Sequence, residues 1–192
     1  MVKLMSSNPV IEAIRSRRTV RNYVDKPVSQ EVIDTILEAG TWAPTGVNIQ
    51  PWEFTVIKGK DATKLYSDKA KAILTKTLPQ AADPNIRKRL TAPEVNLFFG
   101  APLAIFISAA KSRFAATDCH LAAQNMMLAA YSLGLGSVYS ASIMSLGQDS
   151  TTKAELGIPE DHELYSAVIF GYPKEIPKAP TRKKPQILKQ IG

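Results

Sequence analysis

"LAIFIS", Leu103 to Ser108, presents apolar side chains at successive positions until its last residue and so offers water no polar face. A strand of that kind must be covered on both sides, which makes it the centre of a layered fold. "SAVIFG", Ser166 to Gly171, repeats the pattern, and "WEFTVIK", Trp52 to Lys58, adds an aromatic and β-branched strand. Helical stretches separate them: Ala62 to Leu78, a shorter piece around Asn85 to Phe99, and Thr117 to Leu133, with Asp118 placed to cap the last and Gly134 to end it. Upstream, Asn8 before Pro9 has the form of a cap and first helical residue, and a helix follows to about Ser16. Ser29 begins a second helix with Val32, Ile33, Ile36 and Leu37 on its apolar face, and Gly40 suits its C-terminal cap. The segment from Thr41 to Pro51 is then a loop. Helices and strands interleave without a strict βαβ rhythm, so the expected class is α+β.

The 192 residues are 45% hydrophobic and 21% charged, ordinary globular usage. A chain of this size buries roughly 70% of its unfolded surface in one core. No Gly/Ser tract, heptad run or repeat of fixed period divides it, and one domain over 1–192 is expected. "MVKLMSSNPV" lacks a continuous apolar h-region, and no stretch approaches the roughly 20 apolar residues of a membrane span. The expectations are therefore a cytoplasmic location and no membrane partner. Cys119 is the only cysteine, and with His120 and His162 it makes too small a set for a usual zinc site, so no metal is expected. The formal net charge of +7 favours anionic partners: nucleic acid, a phosphorylated cofactor or an acidic substrate.

Four arginines, Arg15, Arg17, Arg18 and Arg21, fall within "RSRRTVRNY". The planar guanidinium fork can hold a phosphate through two parallel hydrogen bonds, although a solvated basic patch needs no ligand. Interleaved aromatics and a recognition-helix motif are missing, so nucleic acid is not the expected partner. In "WAPTGVNIQPW", Trp42 to Trp52, Pro44 and Pro51 stiffen the loop, Gly46 permits close backbone approach, and Thr45, Asn48 and Gln50 supply donors and acceptors for a polar planar ligand. The tail from about 172 to 192 is basic and carries Pro173, Pro177, Pro180 and Pro185, too many for another regular element. Cys119 and His120 invite a nucleophile–base reading, but neighbours on a helix point about 100° apart. Both are read as packing residues.

The order "I-x-x-R-R-T-V-R-N-Y", "A-P-T-G-x-N-x-Q-P-W-x-F", "N-M-M-L-A-A-Y-S-L-G-L-G-S" and "G-I-P-E-D-H…G-Y-P" resembles the nitroreductase family of flavin-dependent oxidoreductases, from about Val10 to Lys184. The resemblance implies a central, mainly antiparallel mixed sheet flanked by helices, in an intertwined homodimer with two FMN sites at the subunit interface. It implies that Arg17, Arg18, Thr19 and Arg21 come from one subunit, Arg17 toward the phosphate and ribityl chain, Thr19 and Arg21 toward the pyrimidine edge. Pro44, Thr45, Gly46 and Asn48 would arrive from the other. Thr45 stands where many relatives have serine and keeps the hydroxyl. Of the basic residues in "PTRKKP", Arg182 and Lys184 are favoured for the phosphate. Asn96 is the candidate for a flavin-touching asparagine ahead of "GAP", and Ser140 and Ala141 occupy the segment whose amides approach flavin N5 in relatives, without the usual glycine. The stretch from Ala62 to Phe99 would wall the pocket. No side chain is catalytic: NADH or NADPH reduces FMN, the nicotinamide leaves, and a small electron-poor acceptor such as a nitroaromatic or quinone takes its place in ping-pong order. The alternatives are a same-fold FMN enzyme of the reductive dehalogenase or flavin-fragmenting kind, and a non-catalytic FMN-binding protein.

Overall fold

Leu103 to Ala109 has no residue with appreciable solvent exposure, and this run is the axis about which the chain is built. The computed structural model describes residues 8–77, 79 and 83–192. In chain order the elements are α1 (Pro9–Ser16), α2 (Gln30–Thr41), β1 (Glu53–Lys58), α3 (Lys60–Thr77), α4 (Pro84–Thr91), β2 (Leu103–Ala110), α5 (Ala115–Ser132), β3 (Gly136–Tyr139), α6 (Ser150–Glu155) and β4 (His162–Gly171). Short 3-10 turns occupy Gly46–Asn48 and Ser142–Gln148. The four strands form one sheet in the order β1-β2-β4-β3, each neighbouring pair antiparallel. The sheet is thus antiparallel throughout rather than mixed; the one parallel pairing among the described residues is an isolated bridge between Thr19 and Ser137 of β3.

Because side chains alternate across a strand, the two faces of β2 and β4 feed two separate cores. Leu103, Ile105 and Ile107 of β2 and Val168 and Phe170 of β4 pack with Ile33 and Ile36 of α2 and Met126 of α5. Ala104, Phe106, Ala167 and Ile169 face the other way, onto Ala70 of α3 and onto Ile143 and Leu146 of the second 3-10 turn. Fully burying one such large side chain contributes about 1.5–3 kcal/mol, and truncating Ile105 to alanine should cost about 2–5 kcal/mol. The two-sided apolar pattern in the sequence thus corresponds to two layers of cover.

Several boundaries differ from those expected, each for a local reason. α3 begins at Lys60 and runs to Thr77; Leu78, its expected end, lies outside the described residues. The piece expected to reach Phe99 is helical only to Thr91. Pro93 forces Ala92 into extended conformation, with ψ 123°. Gly40 is not the cap of α2, which continues to Thr41 with Trp42 beyond it. The glycine is there because Met126 occupies the place of a Cβ, 2.9 Å away. Asp118 does not cap α5 either, since Phe114 precedes the first helical residue and Asp118 lies inside the first turn. β3, α6 and the second 3-10 turn were not legible in the sequence. β4 also starts at His162 rather than Ser166. Caps at Asn8 and Ser29 formed as expected, each side chain accepting from amides of the turn it begins.

Beyond β4 the chain is pinned briefly to the segment after α1, where Val24 donates to Tyr172 and Lys174 donates to Asn22. From Lys174 to Gly192 every residue is exposed and no regular element forms. Among the described residues, no helix is long and apolar enough to cross a membrane.

Candidate functional site

α1 ends at Ser16 because Arg17 leaves helical geometry (φ −53°, ψ 137°), and the chain then runs extended beside β3. Val20 donates to the Ser137 carbonyl at 3.0 Å. This approach requires Gly136, where a Cβ would lie 2.6 Å from a methyl of Val20. The arginines are thereby presented at the sheet edge. Arg18 donates through Nη1 to the carbonyls of Arg15 (2.7 Å) and Arg17 (2.9 Å), at the C-terminal end of α1 where a cation is favoured. Its Nε is buried with no hydrogen-bond partner among the described residues.

Arg17, Arg18, Thr19 and Arg21 line a cleft of about 350 Å³ whose opposite wall is the tail, through Pro177, Lys178, Pro180 and Arg182. That lining contains cations and no carboxylate. The Arg17 guanidinium is held below its usual range by burial first, then by the charges of Arg182 and Arg18. Cations crowded together against desolvation fit a phosphate group, which supplies both the charge and the acceptors. Arg21 lies over the ring of Phe99, 5.9 Å from its centroid. Phe99 itself sits at φ 57°, rare for a bulky residue.

The second half of the expected site is the loop after α2. Val47, Asn48 and Gln50 all have positive φ, at 47°, 57° and 52°. Left-handed backbone costs of order 1–3 kcal/mol at each non-glycine residue, survives only where its surroundings over-determine it, and concentrates at ligand clamps. Here Gly46 donates to both carboxylate oxygens of Asp118, at 3.3 and 3.2 Å. A Cβ on Gly46 would meet the Phe114 ring at 2.5 Å. Thr45 accepts through Oγ1 from the Gln50 amide, and Gln50 donates through Nε2 to Asn48 Oδ1. The Asn48 amide therefore has its oxygen occupied and its NH₂ left as the donating end.

Asn48 and Gln50 line a depression with Glu38, Thr41, Trp42 and Ala43 that shares no residue with the arginine cleft. Val47 is 85% exposed and Trp42 78%, so the loop shows solvent an apolar rim. The two halves are thus separate within one chain. Pro44 is exposed and Thr45 partly so, at the entrance to this loop.

The remaining candidates are scattered. Asn96 accepts through Oδ1 from the Phe98 amide at 2.8 Å, which turns the chain into β2. Ser140 is buried and its amide donates to the Ala167 carbonyl, while Ala141 is exposed at the head of the second 3-10 turn. Arg182 lines the arginine cleft, while Lys184 lies further along the exposed tail and Lys178 stands in the lining instead. Cys119 is buried, its thiol pushed up to about 12 by burial and then by Asp118, so it is inert. Among the described residues no group of His, Cys, Asp and Glu could hold a metal ion. Sequence reasoning did not single out Lys178 or Phe99 for the site, and Asp118 drew attention only as a cap.

A family model described as the nitroreductase family matches residues 14–172. The chain belongs to the nitroreductase family. It is 30% identical over 178 residues to a protein of Methanothermobacter thermautotrophicus named, provisionally, an NADH dehydrogenase/NAD(P)H nitroreductase, covering 90% of this chain and 82% of that one. A solved nitroreductase with bound FMN from Bacteroides fragilis superposes with a TM-score of 0.83 at 30% identity, over 96% of this chain and 100% of the other. A second, from Desulfitobacterium hafniense and also with bound FMN, gives 0.79 at 25% identity, over 95% and 99%. This nitroreductase-family chain is thus an oxidoreductase, with the family's α+β architecture.

Proposed function

We propose that residues 1–192 form one FMN-binding domain, and that two such chains make a homodimeric NAD(P)H-dependent oxidoreductase. The observation that carries this reading is the cationic cleft, whose described lining gathers arginines and a lysine and no carboxylate, a set of donors that suits a phosphate. Arg17, Arg18, Lys178 and Arg182 hold that phosphate, and Thr19 and Arg21 face the pyrimidine edge of the ring. The Pro44–Asn48 loop of the other protomer closes the site, with the Asn48 NH₂ as donor. Two half-sites that share no lining residue, beside exposed Trp42, Val47 and Ile49, support completion by a second copy.

Bound FMN would supply hydride transfer at N5 between NADH or NADPH and a small electron-poor acceptor, of the nitroaromatic or quinone kind. Arg21 contributes a fixed positive charge, supported against Phe99, at the edge where reduction leaves negative charge. The strained loop contributes a preset donor geometry, which avoids reorganisation on binding. No side chain of the site is a nucleophile.

The test is chromatography of the cofactor released from purified protein, followed by NAD(P)H oxidation with and without p-nitrobenzoate or a benzoquinone. FMN at one per chain and acceptor-dependent turnover are expected. Recovery of FAD, or no flavin uptake on reconstitution, overturns the cofactor assignment; FMN without acceptor-dependent NAD(P)H oxidation overturns the activity.

A further inference from the structure

We propose that Asp118 is a positioning residue of the flavin site: its buried carboxylate holds the Gly46 amide, and through it the left-handed Val47–Asn48 backbone that presents the Asn48 donor. This rests on the FMN reading above.

A carboxyl group that is 3% exposed must be compensated by hydrogen bonds, because burying it otherwise costs free energy. Its bonds do not serve its own helix: both oxygens reach back across the sequence to the Gly46 amide, 72 residues earlier. Phe114, at the start of the same helix, fills the space where a Gly46 side chain would project. Gly46 is therefore held from across the fold by α5 and its N-cap, the Phe114 ring blocking movement inward and the carboxylate restraining movement outward, while its carbonyl accepts from Ile49 within the local turn. α5 steadies the approach to the loop as well, since Asn125 donates to the Ala39 carbonyl at 3.2 Å and Met126 packs on Gly40.

The restraint matters because of the backbone at the next two residues. Val47 is β-branched, largely exposed and left-handed, so nothing in its own chemistry favours its conformation. The local side-chain bonds, from the Gln50 backbone amide to Thr45 Oγ1 and from Gln50 Nε2 to Asn48 Oδ1, lie at the surface where water competes with them, and the turn's own backbone bonds, Asn48 to the Thr45 carbonyl and Ile49 to the Gly46 carbonyl, close only a single short turn. The long-range Asp118–Gly46 contact, part-buried and with its carboxylate 3% exposed, is the anchor of the loop on the core side. Released from it, Val47 and Asn48 relax toward ordinary backbone and the Asn48 NH₂ loses its set direction.

The experiment titrates apoprotein with FMN, monitored by quenching of flavin fluorescence, for wild type, Asp118→Ala, Asp118→Asn, Asn48→Ala and the Asp118→Ala/Asn48→Ala double variant. Asp118→Ala should raise the FMN Kd about tenfold or more, as expected when a hydrogen bond to a charged acceptor is lost. Asp118→Asn keeps an accepting oxygen and should lose less. If Asp118 acts through Asn48, the double variant binds only as weakly as the worse single one, the non-additivity of coupled residues. A merely structural Asp118 would lower the melting temperature of the apoprotein while leaving FMN affinity unchanged or the two effects additive, and either result overturns the proposal. Should Asp118→Ala not fold, Asp118→Asn carries the same cycle with Asn48→Ala, and additivity there overturns the proposal equally. Wild-type protein that takes up no FMN overturns the cofactor assignment and this inference with it; wild-type uptake with unchanged affinity in the Asp118 variants overturns this inference alone.

Discussion

Arg182, in the proline-rich tail, lies near enough to Arg17, at the end of α1, for its charge to help depress the Arg17 guanidinium across a shared cleft. Two like charges held together are unfavourable unless an anion comes between them. Arg17→Ala and Arg182→Ala should accordingly leave the melting temperature of the apoprotein unchanged or slightly raised while weakening FMN binding. A lost hydrogen bond to a charged group corresponds to about 1.5–3 kcal/mol, or roughly a 10- to 150-fold rise in Kd. Calorimetric melting of apoprotein and FMN titration check the two halves; a large fall in apoprotein stability would mean that the cluster holds the fold together rather than a phosphate.

Arg21 over Phe99 should set the redox potential more than the affinity. A cation beside the reduced ring edge, contributing about 1.5–3 kcal/mol, shifts a two-electron midpoint by roughly 30–65 mV. Arg21→Ala should lower the midpoint by that amount and Arg21→Lys by less. A spectroscopic titration against a reference dye, on fully loaded protein, measures it. An unchanged midpoint places Arg21 away from the ring edge.

The separation of the two half-sites makes a prediction about mixed dimers. If each FMN takes Arg17 from one chain and Asn48 from the other, a dimer of Arg17→Ala and Asn48→Ala chains has one site with both lesions and one intact. Tagged co-expression should yield mixed dimers that retain about half the wild-type flavin, whereas each parent homodimer is impaired at both sites. Sedimentation of a stable monomer carrying one FMN would falsify the shared-site arrangement.

Gly46 and Gly136 are packing constraints as well as loop features. A Cβ on Gly46 meets Phe114 at 2.5 Å and one on Gly136 meets Val20 at 2.6 Å. Each alanine substitution should cost about 1–3 kcal/mol through overpacking, which for a domain of this size is roughly 2–4 °C of Tm per kcal/mol. Both should also loosen FMN beyond their effect on stability, Gly46→Ala by displacing the loop and Gly136→Ala by displacing the segment that carries Thr19 and Arg21.

Cys119 offers a readout of the core on the far side of α5 from solvent. Its folded-state pKa, about 12, is raised above the unfolded value. The native state therefore retains a proton that the unfolded state releases, and the associated stability is present below about pH 8.5 and lost as pH rises toward the folded value. At pH 8 an aromatic disulfide reagent should titrate no thiol in native protein and one in denaturant. Rapid reaction of the native thiol would show that the core opens.

Local chemistry alone was enough for some elements. Asn8–Pro9 and Ser29 start helices because a cap satisfies amides within three residues of itself, and Leu103–Ser108 is a central strand because it has no face that tolerates water. β3 was invisible by the same logic. "GSVY" is short and begins with glycine, and it is a strand only because β4 offers a partner on one side and Val20 packs close on the other. The motifs around Arg17 and Asn48 pointed to the family, yet the tail's register could not be read, because an exposed segment without regular structure has no periodicity; its approach to Arg17 put Lys178 in the cleft and left Lys184 outside.

The sequence by itself determined which residue types could bind an anion and which stretches had to be buried, since both depend on the chemistry of neighbours along the chain. Only the tertiary structure decided what those residues face. Asp118 has the sequence context of a helix cap, but the packing of α5 against the loop after α2 turns its carboxylate onto Gly46. Val47 and Asn48, ordinary in sequence, adopt left-handed backbone directly after a residue, Gly46, that a distant element contacts. Long-range contacts of this kind leave no periodic trace, so a conformation imposed from across the fold becomes visible only when the elements are in place.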